Sequence, residues 1–162
     1  MTKRTHTLEW DDPSITARAA PTMSGMEFLN AISKGELPAA PMAIVMNLRF
    51  IEITSGRILA TAQPGEYLYN PIGVIHGGFT ATLLDTVMAC SIHSTLPAGS
   101  GYTTIEIKVN MVRPITLASG LLYAEGKVIH GGKRIATAEG TIKDAEGKLY
   151  AHGTTTCMIL ES

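Results

Sequence analysis

The chain has almost no charge imbalance, with 13 basic and 14 acidic residues in 162 and a net charge of −1. Without a basic field it carries no electrostatic footprint for nucleic acid or an anionic membrane surface. It has two cysteines, Cys90 and Cys157, far apart in sequence and each inside an apolar pattern. Such a pair gives neither a disulfide framework nor a zinc site and reads as two buried thiols. His152 has no His or Cys at ligand spacing, so no metal is expected. No run of about 18 apolar residues occurs, which excludes a transmembrane helix. The first ten residues lack the apolar core of a signal peptide, so a cytoplasmic location is expected. No Gly-x-Ser-x-Gly elbow is present, and His130-Gly-Gly-Lys133 lacks the spacing of a triphosphate loop.

What is present is concentrated between Asn70 and His93. Pro71 and Gly73 mark an irregular loop, and Gly77-Gly78 leads into a run free of breakers. Phe79, Leu83, Val87 and Cys90 recur at helical spacing. Ala81, Thr82, Met88, Ala89 and Ile92 cover the other side, so the helix is apolar nearly all round and belongs in a core. Asp85 stands in its middle. A carboxylate removed from water without partners is costly, so this one needs a reason. One reason is structural, satisfying backbone donors nearby. The other is chemical. Two glycines let a ligand approach the backbone. The first N–H groups of the helix lack intrahelical partners and lie at the positive end of its dipole. Asn70 adds an amide donor. A donor cluster and a carboxylate are the parts needed for acyl transfer to water.

Spacing sharpens this reading. Gly77 and Asp85 are eight residues apart, about 12 Å along a helix. One carbonyl cannot touch both. If both serve one reaction, the Asp must come from a second copy, which predicts a two-fold dimer with a shared site. The low charge content, 17% against 45% apolar residues, agrees with a chain that hides part of its surface in an oligomer.

Around this stretch, residues 1–23 read as an irregular arm in which Trp10 is either an anchor or exposed. Ser24-Gly-Met-Glu27 has capping-box spacing, and Met26, Leu29 and Ile32 continue as a short helix ended by Gly35. That helix either covers an apolar opening or packs on a sheet edge. Leu37–Pro41 is a linker, which divides the chain into an N-terminal part, 1–41, and a domain, 42–162. Strands are predicted over 44–54 and 57–63, then 103–113, 121–129, 134–143 and 149–158. In the first, Met46, Leu48, Phe50 and Glu52 share a face; in the third, Ile105, Ile107, Val109 and Met111 oppose Thr104, Glu106, Lys108 and Asn110. His93 lies at the helix end, where the dipole favours a protonated ring, and is taken as structural. Short connections favour an antiparallel sheet, and one long apolar helix needs that sheet curved around it: an α+β fold.

Over residues 40–160 the chain resembles the PaaI-like hotdog-fold acyl-CoA thioesterases. The resemblance is carried by Asn70-x5-His76-Gly77-Gly78-x6-Asp85, by Tyr102-Thr103-Thr104-x-Glu106 and by Arg113-Pro114. It implies hydrolysis of a CoA thioester, with an aromatic or medium-chain acyl group, by a dimer of dimers. Asp85 would be general base or nucleophile through an anhydride. Gly77 would polarise the carbonyl, Asn70 and His76 would position it, and Thr104 would come from the subunit that supplies Asp85. CoA is then part of the substrate and no cofactor is needed. Its phosphates require cations, for which Arg113, Lys133 and Arg134 are candidates, with Lys108 on the Thr104 face. Phe79, Met88 and the short helix would line the acyl channel. Two other readings fit the same fold: a non-catalytic acyl-CoA-binding protein, and a hydratase or dehydratase using His76 and Asp85 as acid and base.

Overall fold

The computed structural model describes residues 2–161; Met1 and Ser162, which fall within the expected arm and domain, lie outside the described residues. The order of elements is α1 (Pro13–Ala19), α2 (Gly25–Ser33), α3 (Pro41–Val45), β1 (Leu48–Thr54), β2 (Arg57–Ala62), α4 (Gly77–His93), β3 (Ser100–Met111), β4 (Leu122–Gly131), β5 (Ile135–Asp144) and β6 (Leu149–Glu161). The six strands form one antiparallel sheet in the order β1-β2-β4-β5-β6-β3. Helix α4 lies across β2 to β6 and is the centre of the core. Leu83, Leu84, Val87, Met88 and Ile92 are fully buried. The sheet comes so close to α4 that a Cβ on Gly126 would lie 2.1 Å from the Val87 carbonyl oxygen.

Several sequence expectations need correction. The arm is not irregular throughout. Asp12 caps α1 by accepting from Ser14 N–H at 2.9 Å, and Pro13 stands at its first position. This helix buries no residue, so no apolar period announced it. The arm runs against the 3₁₀ turn Glu66–Leu68, where Arg4 pairs with Glu66 and His6 stacks on Tyr67 at 3.8 Å; Trp10 stays exposed. The first strand does not begin at residue 44. Pro41 opens α3, and Asn47, at φ 48°, turns the chain into β1.

Bulges shift two strand faces. In β1 the register slips between Phe50 and Glu52, so Ile53, not Glu52, follows Phe50 toward the interior. In β3 it slips at Ile105, because Thr104 pairs with Cys157 and Glu106 with Thr156. Thr104 therefore shares the helix side with Ile107, Val109 and Met111, while Glu106 and Lys108 face outward. One unpaired residue reverses the alternation beyond it.

The capping box of α2 is present, with Ser24 accepting from Glu27 N–H. Its buried Leu29 and Ala31 pack the helix on the edge strand β1 and the end of α4. Gly25 donates to the Leu96 carbonyl at 3.0 Å. The His93 ring lies between Phe28 and Tyr102, tilted by 50° to each, with centroids 5.2 and 5.1 Å away. Burial lowers the His93 pKa and so favours the neutral ring, overriding the dipole. Phe79 and Met88 are buried in the core of their own protomer.

Two tests follow from this packing. Gly126→Ala is expected to cost about 3 kcal/mol or more in urea unfolding, because backbone must move. Gly131→Ala, whose Cβ would meet nothing within 4 Å, should change stability by less than about 0.5 kcal/mol. His93 has a folded pKa below its unfolded value, so its contribution is full above that unfolded value and is lost as pH falls. The unfolding free energy should therefore decline below about pH 6.5, and His93→Gln should flatten the decline.

Candidate active site

Asp85 sits at mid-helix on α4, half-buried, facing β3. Thr104 Oγ1 donates to Asp85 Oδ1 at 3.0 Å. The bulge at Ile105 lets Thr104 face the helix on the same side as Ile107, Val109 and Met111. Around the pair lie Cys90, Tyr102 and Cys157. Burial pushes the Cys90 thiol up to about 12 and raises the Tyr102 phenol well above its ordinary value. Both remain protonated beside the carboxylate, which disfavours further negative charge there.

The second cluster lies at the start of α4. His76 is the N-cap, and its Nδ1 accepts from Gly78 N–H at 2.8 Å, which places the ring proton on Nε2. Phe79 N–H donates to the His76 carbonyl at 2.9 Å. The Gly77 N–H has no partner among the described residues, and it points from the positive end of a 17-residue helix. Asn70 Oδ1 accepts from Ile72 N–H at 3.1 Å and Val74 N–H at 3.2 Å. Its carbonyl end is thus committed to its own loop, and the amide Nδ2 is the end that can donate elsewhere. Asn70, Gly77, Met111 and Arg113 border one cleft of 260 Å³. Met111 closes over Gly77; a Cβ there would lie 2.9 Å from its Sδ.

The structure brings Asp85 to Thr104, and Asn70, His76 and Gly77 to one another. It does not bring the two clusters together within one chain. The cations divide in the same way. Arg113 follows β3 beside the Gly77 cleft and donates to the Leu149 carbonyl at 2.6 Å. Lys133 and Arg134 lie in the β4–β5 turn at the opposite end of the sheet, where Ile159 N–H bonds the Arg134 carbonyl at 2.8 Å. Lys108 is outward and exposed, and leaves the Thr104 face. Among the described residues no three His, Cys, Asp or Glu side chains cluster as metal ligands would. Sequence reasoning missed Met111 and Cys157, which meet the site only through strand register. A carboxylate with one oxygen bound by a hydroxyl, and an unused N–H at a helix start, can between them activate water and hold an oxyanion.

Comparison with known proteins agrees with this fold. A family description of the thioesterase superfamily matches residues 72–151, which include Gly77, Asp85, Thr104 and all of β3 to β5. The 1,4-dihydroxy-2-naphthoyl-CoA hydrolase of Escherichia coli is 25% identical over 135 residues, covering 83% of this chain and 94% of that protein. Human acyl-coenzyme A thioesterase 13 is 25% identical over 111 residues, covering 68% and 78%. The solved structure of the PaaI protein from the phenylacetic acid degradation operon of E. coli superposes with a TM-score of 0.73 at 21% identity, covering 87% of this chain and 98% of that one. Helix and sheet order thus agree with one family: the chain belongs to the thioesterase superfamily and has the hotdog fold of the PaaI structure.

Proposed function

We propose that two copies of this chain pair through β3 and hydrolyse acyl-CoA thioesters at two sites, each built from both copies. The observation that carries this reading is the separation of the two clusters along α4. Strand β3 is a sheet edge of twelve residues, with Ile105, Ile107 and Met111 exposed. Such an edge calls for cover. Met111 lies on Gly77, and Thr104 lies on Asp85. Antiparallel pairing of Met111 with the partner subunit's Thr104 therefore carries Gly77 to the partner subunit's Asp85. With Ile105 unpaired in the bulge, the two-fold axis of that register passes at Lys108. The same register sets Arg113 opposite the partner subunit's Tyr102. Tyr102 pairs with Ile159, which bonds Arg134. Arg113 from one copy and Lys133 and Arg134 from the other then rim one entrance, as the phosphates of CoA require.

In this arrangement Asp85 Oδ2 takes a proton from water as the water oxygen attacks the thioester carbon. The Gly77 N–H holds the resulting oxyanion, and the Asn70 amide and His76 Nε2–H orient the substrate. Collapse of the intermediate expels the CoA thiolate, which takes the proton back from Asp85. CoA enters as part of the substrate, and no cofactor is invoked. A cytoplasmic location and a dimer of dimers complete the reading. Exposed Ile135 and Met158, paired on the outer face of the sheet, support a second contact between dimers. Among the described residues no helix is long and apolar enough to cross a membrane.

Release of free thiol from acyl-CoA, read with Ellman's reagent, separates hydrolysis from mere binding and from hydration. Asp85→Asn should stay folded and lose at least about a hundredfold in kcat. Gly77→Pro deletes the one N–H at a position where a helix accepts proline, after a residue already extended at φ −59° and ψ 138°. It should also lose about a hundredfold or more. Mixing the two dead proteins and letting subunits exchange should restore about a quarter of wild-type activity, because half the dimers then hold one intact site. No recovery on exchange would overturn the shared site.

A further inference from the structure

Thr104 has one hydroxyl proton and spends it on Asp85 Oδ1 at 3.0 Å. Its oxygen also lies 3.8 Å from Cys157 Sγ, directly across the β3–β6 ladder. A hydroxyl whose proton is committed can meet a third group only as acceptor. The donor in that contact is therefore the Cys157 S–H. Thr155, the next residue on the same face of β6, gives its own proton to the Glu106 carbonyl at 2.8 Å, so it donates nothing to Thr104, and its oxygen is the competing acceptor for the thiol. Cys157 is wholly buried. Burial and the nearby Asp85 charge both raise its pKa, which keeps the thiol protonated.

We propose that Cys157 is a positioning residue for the hydrolysis: its S–H fixes the Thr104 hydroxyl so that the Thr104 proton stays on Asp85 Oδ1 and Oδ2 alone meets the water. This rests on the reading of Asp85 as the base. Without the thiol, the hydroxyl can rotate about its Cβ–O bond, and the carboxylate loses the contact that distinguishes its two oxygens. The role is passed on through Thr104, since Cys157 touches neither substrate nor water.

The test is a double-mutant cycle joined to infrared spectroscopy. Cys157→Ala should lower kcat about fivefold, the worth of one neutral hydrogen bond, and leave KM unchanged. In a Thr104→Val background the same substitution should have no further effect on kcat. An equal loss in both backgrounds would mean that the thiol only packs, and no loss in either would mean that it does nothing; both outcomes overturn the proposal. The S–H stretch needs no change at Cys157. One thiol band should move to higher wavenumber when Thr104→Val removes its acceptor, and an unmoved band overturns the proposal. If the protein released no thiol from any acyl-CoA, the reading of Asp85 would fail, while the infrared result would still judge the hydrogen bond by itself.

Discussion

An α-helix is a rigid rod, and α4 holds Gly77 and Asp85 at a separation that side chains cannot close. Everything else in the structure follows from keeping that rod in place. Gly126 lets β4 press against its backbone, and Gly140 leaves β5 room for the Met88 and Leu84 side chains. The sheet wraps one side and leaves the β3 flank open. Two incomplete clusters lie along this straight element, beside an exposed strand edge. In the proposed dimer, a two-fold axis perpendicular to the helix supplies each cluster with what it lacks, and supplies both at once.

The local chemistry of each half is set by hydrogen-bond accounting. At the helix start, three consecutive N–H groups have three different fates. Gly78 is capped by a side chain, Phe79 by a turn, and Gly77 by nothing among the described residues. Asn70 is fixed by two donors from its own loop, so its amide has a defined end to offer. At mid-helix, Thr104 gives Asp85 a partner that a core carboxylate needs, and leaves its second oxygen for work. Neither half relies on a mobile side chain for its geometry.

The sequence made the centre legible and the periphery less so. Helix α4 was readable because Phe79, Leu83 and Val87 keep a strong period between breakers. The capping box of α2 was readable because Ser24 and Glu27 stand at a fixed spacing. Helix α1 was not, because it buries no residue and therefore shows no stripe. The end of helix α3 reads as strand because Ile44 and Val45 favour strands locally, while Pro41 and Asn47 decide otherwise. For His93 the sequence shows the helix dipole, which favours a protonated ring, and does not show the burial between Phe28 and Tyr102 that reverses the preference. Asp85, Gly77, Asn70 and His76 came from spacing on one continuous segment. Cys157 and Met111 did not, since only the register of β3 brings them there.

The bulge at Ile105 has a consequence for how this strand can vary over time. Ahead of it, Thr104 points inward to the carboxylate; behind it, Ile107, Val109 and Met111 point inward too, which straight alternation would forbid. Removing the unpaired residue would leave a regular ladder in which Thr104, Ile107, Val109 and Met111 all keep the inner face. Straightening the strand with Ile105 kept would instead throw every residue from Glu106 onward across the sheet, setting charged Glu106 and Lys108 against the apolar helix and stripping Gly77 of its cover. The strand can therefore lose its extra residue more readily than it can lose the kink that accommodates it.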